Sequence, residues 1–259
     1  MPKLWQNTFH DLIQFRNTQI NKLPTPNDIN RSNKRLGKLA EDLFSFWVKN
    51  QPDYKIVFEN LQIINKKQTI GELDVCLFSF SLKKYIHLEL ITKFYLYNPA
   101  FNCNSIDAWI GPNRNDSLKN KIEKLTHKQL PLLHNTVTKE RLSEYHINTE
   151  NIIQQVCFKA WLFTPLGFND KLTQFNSNCI AGHYMTFETF TELHSDTKTY
   201  YCPTKQDWLR FPETQKTWNS FNEVTKQIKL FMEAEQAIMV WVKKFSEYQR
   251  IIIVPYEQF

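Results

Sequence analysis

Two neighbouring strand-like segments in residues 71–97 constrain this chain more than any other feature. Both segments are rich in β-branched and aromatic residues and a polar turn joins them, which predicts a β-hairpin. Charged residues interrupt both strands, with Asp74 in the first and Glu89 and Lys93 in the second. Burying such charges for packing alone costs too much free energy. The hairpin therefore predicts a partner that neutralises them, and the leading candidate is a divalent metal with a phosphate.

Side-chain alternation assigns the polar residues of the second strand to one face. A period of two residues places His87, Glu89 and Lys93 on the same side of that strand. We interpret His87 as a strand-end histidine bonded to a neighbouring group, with an additional metal ligand as the alternative.

Composition and charge exclude several classes of protein. Among the 259 residues there are only five glycines, and neither common glycine-rich nucleotide-binding motif occurs. The five cysteines form no CxxC pair, which indicates reduced thiols rather than disulfides or a zinc site. A net charge of +6 is compatible with a polyanionic partner. Because no signal-peptide core or membrane-spanning apolar run is seen, a cytoplasmic protein without a membrane partner is expected.

The order of apolar patterns predicts an α/β fold with a mixed sheet and a C-terminal α+β extension. Residues 1–32 are predicted to form an N-terminal helix and connector, and residues 33–165 a core with the order helix, three strands, helix, strand. Residues 166–259 are predicted to form an accessory α+β region packed on that core.

Apolar spacing also predicts the individual elements. The predictions that matter below are a helix over 4–20, a polar connector over 23–35, strands over 54–65 and 156–164, a long helix over 214–245, and a buried strand over 250–255.

The first core helix carries a carboxylate at the margin of its apolar face. Glu41 shares its row with Phe44 and Val48, whereas the neighbouring Asp42 shares its row with lysines and is expected in solvent. Taken alone, Glu41 is best interpreted as an edge carboxylate paired with a nearby lysine.

The second core helix, over residues 117–130, carries two polar features. Gln129 falls on the core-facing stripe, and three lysines share another stripe, namely Lys121, Lys124 and Lys128. For a helix considered alone, a solvated face is the simpler interpretation of those lysines.

Several segments together resemble a known family. The predicted core has Glu41 on its first helix, Asp74 on its second strand and Glu89 on its third strand. This arrangement is similar to the acidic set of the PD-(D/E)XK nuclease superfamily, which has a restriction-endonuclease-like core. The segments LGKLAEDLFSFW, GELD, HLELITKFYL, WIGPN and RIIIVP more closely resemble the bacterial family called domain of unknown function 1853, which is placed within that superfamily.

The resemblance implies a magnesium-dependent nuclease. Asp74 and Glu89 would hold Mg²⁺ (or Mn²⁺) through carboxylate oxygens, and Glu41 would reach the ion through a water. Lys93 would orient the attacking water or stabilise the charge of the transition state. Gln129 resembles a polar residue that many superfamily members direct at the site.

The resemblance implies nucleic acid as the partner. DNA is the first expectation and RNA is the second. Its phosphates would be contacted by basic residues, namely Lys121, Lys124, Lys128 and Arg114.

One spacing departs from the superfamily pattern. The lysine usually lies two residues after the acid, where this chain has Ile91. Lys93 lies four residues after Glu89, on the same face but about 13 Å along an ideal strand.

Three functions follow from these patterns as alternatives. The leading one is a metal-dependent phosphodiesterase acting on DNA or RNA. The second is a nucleic-acid-binding protein on a nuclease core that has lost catalysis, and the third is a structural or partner-binding protein in which the acids and lysine pair internally.

Overall fold

The secondary structure is defined by a computed structural model, which describes residues 1–16, 24–25, 29, 34–212 and 217–257. The strands in these residues are β1 Thr8–Phe9, β2 Leu12–Ile13, β3 Tyr54–Asn65, β4 Gln68–Ser79, β5 Lys84–Tyr97, β6 Trp109–Ile110, β7 Ile152–Thr164, β8 Ile180–Thr186, β9 Lys198–Tyr201, β10 Ile238–Lys244 and β11 Glu247–Val254. The α-helices are α1 Leu36–Lys49, α2 Leu118–Lys124, α3 Thr136–Ser143, α4 Phe187–Glu192 and α5 Phe221–Glu233. No helix in the described ranges is both long and apolar enough to cross a membrane.

The chain has an α/β fold with a mixed sheet of nine strands. The strand order is β3-β4-β5-β7-β8-β11-β10-β9, and β6 pairs with β5. The pairs β3–β4, β4–β5 and β10–β11 are antiparallel, whereas β7–β8 and β8–β11 are parallel. The predicted α/β class and mixed sheet are therefore confirmed, and the strand predicted over 54–65 coincides with β3.

The described residues divide into two compact units, each discontinuous in sequence. The first unit comprises residues 1–2, 93–119 and 160–259, and the second unit comprises residues 3–92 and 120–159. The predicted boundaries at residues 32 and 165 do not appear in this division and stay a prediction.

In the second unit, the β4–β5 hairpin separates two apolar clusters. Val75 and Leu88 belong to a cluster that includes Trp47 and Val48 of α1. Cys76 belongs to another cluster, together with buried leucines at positions 132, 133 and 142. Because both faces of the hairpin are covered, any charge within it must lie at a gap in this packing or be paired there.

The N-terminal segment is not the predicted helix. It forms the short strands β1 and β2, and His10 and Asp11 between them have positive φ angles of 47° and 60°. The Gln14 side chain donates to the Phe158 carbonyl and accepts from the Phe158 amide, both at 3.0 Å. Pairing with a strand distant in sequence therefore overrides the helical spacing of this segment. The remainder of that predicted helix, from residue 17 to 20, and most of the predicted connector lie outside the described residues.

The prediction of one long helix over residues 214–245 is also wrong. The structure has α5 and then β10, separated by Glu235 at a φ of 52°. The run Ile-Met-Val-Trp-Val at 238–242 is apolar and buried at every position, which is typical of a central strand. Residues 214–216 of the predicted helix lie outside the described residues.

Gly182 allows β8 to approach β11 closely. A Cβ at this position would lie 2.0 Å from the Arg250 carbonyl oxygen, so Gly182→Ala must push two paired backbones apart. We expect a loss of about 2 kcal/mol in the free energy of unfolding, measured by urea denaturation. The control is Gly37→Ala in α1, where the new Cβ has no contact within 4 Å among the described residues, apart from its chain neighbours and the backbone of its own helix. Equal stability of the two variants would contradict the close approach.

Candidate functional site

Asp74 lies where the pairing of β4 with β5 ends. The backbone register runs from Ser79–Lys84 to Val75–Leu88. Beyond this point the Asp74 carboxylate accepts the Leu90 amide through Oδ2 at 2.8 Å. A side-chain oxygen thus satisfies a strand amide, and this bond holds Asp74 against β5.

The charge environment of Asp74 shows that the acids of the second unit interact. The pKa of Asp74 is raised from 3.8 to about 7. Burial is the largest cause of this increase, and the negative charge of the nearby Glu89 carboxylate is the second. The Leu90 amide opposes the increase, and smaller effects come from the Glu41 carboxylate, which raises the pKa, and the Lys121 ammonium, which lowers it. Asp74 is therefore within electrostatic range of both other acids predicted for the site.

Glu89 is fully buried, with 0% of its surface exposed. Gln129 donates through its side-chain amide to Oε2 of Glu89. The carbonyl oxygen of the Gln129 side chain accepts the Lys121 ammonium at 2.7 Å. The structure thus places Gln129 against Glu89 and Lys121 next to Gln129.

A π-helical turn carries Gln129. The turn spans Leu125–Gln129 directly after α2, and the Leu130 amide donates to the Leu125 carbonyl at 3.0 Å. Such wide turns are rare and are often found at functional sites. In this chain the turn ends on the residue that contacts the buried glutamate.

The other side of the Glu89 carboxylate faces His87, which is 1% exposed. Glu89 Oε1 lies 3.2 Å from His87 Nε2. This separation is within hydrogen-bond range, but the two atoms form no full hydrogen bond, and neither has another partner among the described residues. The predicted bond between His87 and a neighbouring group is present at the other ring nitrogen. His87 Nδ1 lies 3.1 Å from the side-chain amide nitrogen of Gln154.

Glu41 pairs with a lysine of its own helix. The Lys38 ammonium lies 2.8 Å from Glu41 Oε2, and 29% of the Glu41 side chain is exposed. This is the edge carboxylate that its helical position predicts. The Glu41 charge nonetheless contributes to the raised pKa of Asp74, so the two carboxylates interact electrostatically.

Two predicted site residues belong to the first unit. The Lys93 ammonium forms an ion pair with Asp116. The Arg114 guanidinium lies 3.5 Å from the centre of the Tyr256 ring. The structure thus gives both cations partners that the sequence patterns did not predict, and their predicted roles stay predictions.

The remaining two lysines of the predicted basic stripe face solvent. Lys124 and Lys128 are exposed, and neither forms an ion pair with any residue that the structure describes. They differ in this respect from Lys121, which contacts Gln129.

The donor set can be tested against a divalent metal. Within the described ranges, no three His, Cys, Asp or Glu side chains are grouped closely enough to hold one ion together. Mg²⁺, however, usually keeps several waters and binds through one or two carboxylates. The buried Glu89 Oε1 without a full hydrogen bond and the adjacent Asp74 supply such a pair of oxygen donors. The chemistry of these two side chains suits Mg²⁺, which two carboxylates and waters would hold, and the described residues offer no group of three potential protein ligands.

Two contacts of the site were not predicted from the sequence. Gln154 of β7 contacts His87, and the Leu90 amide binds Asp74. The only sequence signal for the first is a pair of glutamines at the start of an apolar strand. No signal exists for the second, because every residue has a backbone amide.

Comparison with known proteins places the chain in one family. No curated protein and no solved structure matches it. The family model called domain of unknown function (DUF1853) matches residues 5–254, which covers nearly the whole chain and includes every site residue described above. The chain therefore belongs to the DUF1853 family.

Proposed function

We propose that this protein is a metal-dependent nuclease that hydrolyses phosphodiester bonds of DNA or RNA, with a restriction-endonuclease-like core of the PD-(D/E)XK superfamily. The observation that carries the proposal is the fully buried Glu89 beside Asp74, whose pKa is raised to about 7 by burial and by the Glu89 charge. A buried acid that interacts with a partly buried one is costly without a cation, which supports a metal site.

Asp74 and Glu89 are the residues that would hold Mg²⁺ or Mn²⁺, with Glu41 acting through a water. When bound, such an ion polarises a phosphodiester oxygen and lowers the pKa of an attacking water. Gln129 orients the Glu89 carboxylate through its hydrogen bond. Lys121 holds Gln129 and supplies positive charge near Asp74. The resemblance assigned a different role to Lys93, namely to orient the attacking water or to stabilise the charge of the transition state.

The two exposed lysines of the helical segment would contact the substrate. Lys124 and Lys128 have no ion pair with a described residue, so their charges are available to phosphates. Such contacts position a nucleic acid without reading its sequence.

A non-catalytic nucleic-acid-binding protein is the second candidate function. The observation that favours it is the ion pair of Lys93 with Asp116, because this pair occupies the lysine that the family resemblance assigns to catalysis. This candidate shares the basic surface and the binding of nucleic acid, and it lacks cleavage.

Cleavage assays separate the two candidates. With Mg²⁺ or Mn²⁺, we expect wild-type protein to cut single-stranded, duplex or branched DNA or RNA, and Asp74→Ala to be slower by about 100-fold or more. Asp42→Ala is the control, since Asp42 is paired with Lys34 on the same unit and should leave the rate unchanged. Salt-dependent binding without cleavage by the wild type would favour the second candidate. Absence of both would overturn the two candidates together.

A further inference from the structure

A buried histidine lies against the glutamate of the proposed metal site. His87 and Glu89 are 1% and 0% exposed and share one face of β5. His87 Nε2 is 3.2 Å from Glu89 Oε1. Whether this contact is attractive depends on which ring nitrogen carries the proton.

Gln154 decides the position of that proton. Its amide nitrogen donates to the Leu130 carbonyl at 2.8 Å, and only the NH₂ end of an amide can make this bond. The same nitrogen lies 3.1 Å from His87 Nδ1. Its second hydrogen is therefore directed at Nδ1, which must accept it. A ring that accepts at Nδ1 is neutral and has its proton on Nε2, facing Glu89.

We propose that His87 is a positioning residue for Glu89. Nε2, which carries the proton, lies 3.2 Å from Glu89 Oε1 without a full hydrogen bond, while Gln129 donates to Oε2, so an N–H group lies beside each oxygen of the carboxylate. This inference rests on the proposed function for the role of Glu89 toward the metal. Each carboxylate oxygen has a second lone pair, so both contacts leave room for an ion. Hydrogen bonds to metal-binding carboxylates commonly fix their orientation.

The same geometry argues against His87 as a direct ligand. A histidine binds a metal through a nitrogen that carries no proton. The unprotonated nitrogen, Nδ1, already accepts from Gln154, and the nitrogen that faces Glu89 carries the proton. His87 thus acts on the site through Glu89.

Nuclear magnetic resonance can test the proton position without any metal. Protein with ¹⁵N-labelled histidine contains seven such rings, and the signals of His87 are those lost in His87→Gln. We expect the neutral form with the proton on Nε2, and we expect its Nε2 signal to shift in Glu89→Gln. Gln154→Leu should weaken the preference for this form. A proton on Nδ1 in the wild type, or a doubly protonated ring at neutral pH, would overturn the proposal.

Calorimetric titration with Mg²⁺ tests the positioning role. His87→Gln places an amide donor near the position of Nε2, whereas His87→Asn places its amide near Nδ1 and leaves Glu89 Oε1 without a donor. We expect affinity within about threefold of wild type for His87→Gln and a loss of about 10-fold or more for His87→Asn. The exposed His134, changed to Asn, is the control.

The outcomes separate this inference from the proposed function. If wild type binds no Mg²⁺, the metal site fails, and the resonance signals still decide whether His87 donates to Glu89. If wild type binds Mg²⁺ and His87→Asn binds it equally well, the positioning role is overturned and the metal site stands. Equal losses in both His87 variants, with thermal unfolding unchanged, would also overturn it.

Discussion

Loss of either buried acid, in Asp74→Asn or Glu89→Gln, is expected to weaken Mg²⁺ binding by about 100-fold or more. Each variant keeps the shape of the side chain and one carbonyl oxygen but removes the negative charge. The proposed site has two direct carboxylates, and no group of three potential ligands occurs among the described residues, so a third ligand is not expected to compensate for either loss. Calorimetric titration with Mg²⁺, repeated with Mn²⁺, measures the change.

The control for this experiment is Asp42→Asn. Asp42 lies on α1 next to Glu41 and pairs with Lys34, so its loss should not change the affinity. An affinity equal to wild type in both Asp74→Asn and Glu89→Gln would show that these acids do not share an ion. The nuclease proposal would then fail, since it depends on the buried Glu89 and its interaction with Asp74.

Metal-free wild type is expected to lose stability relative to Asp74→Asn as the pH rises. The folded protein binds the Asp74 proton with a pKa of about 7, whereas the ordinary pKa of an exposed Asp is 3.8. Folding is therefore favoured by this group below pH 3.8, and the contribution is lost as the pH rises through about 7. Between pH 5 and 8 we expect the difference between the two proteins to change by roughly 2–3 kcal/mol.

Urea unfolding with a chelator at several pH values checks this expectation. The same Asp42→Asn variant serves as the control, and its difference from wild type should stay constant with pH. Added Mg²⁺ should then stabilise wild type more than Asp74→Asn, because a ligand that binds only the folded state shifts the equilibrium toward it. A pH-independent difference between wild type and Asp74→Asn would show that Asp74 is not in a costly environment.

Local patterns were sufficient for the hairpin and its acids. The alternation in β4 and β5 placed Asp74 and Glu89 within strands, and the stripe of the helix predicted over 117–130 placed Gln129 toward the core. These predictions succeeded because a period of 2 or 3.6 residues assigns each side chain to a face without knowledge of the partner. The edge position of Glu41 and its lysine pair follow from the same rule.

Patterns failed where a distant segment decided the local structure. The N-terminal residues bind β7 rather than forming a helix, and residues 238–244 continue the sheet after α5. Apolar residues at helical spacing suit a buried strand equally well, and only the available sheet edge distinguishes the two. Lys93 is a similar case, because its sequence position shows its face but not that Asp116 is within reach.

The sequence by itself determined that acids and a lysine lie in a strand hairpin, that Gln129 faces inward, and that the class is α/β. Only the tertiary structure decided which donors surround Glu89, that Gln154 directs the His87 proton, and that Lys121 rather than Lys93 lies in the unit of the acids. The physical reason is that periodicity acts over a few residues, whereas burial and hydrogen-bond partners depend on segments that are far apart in the chain.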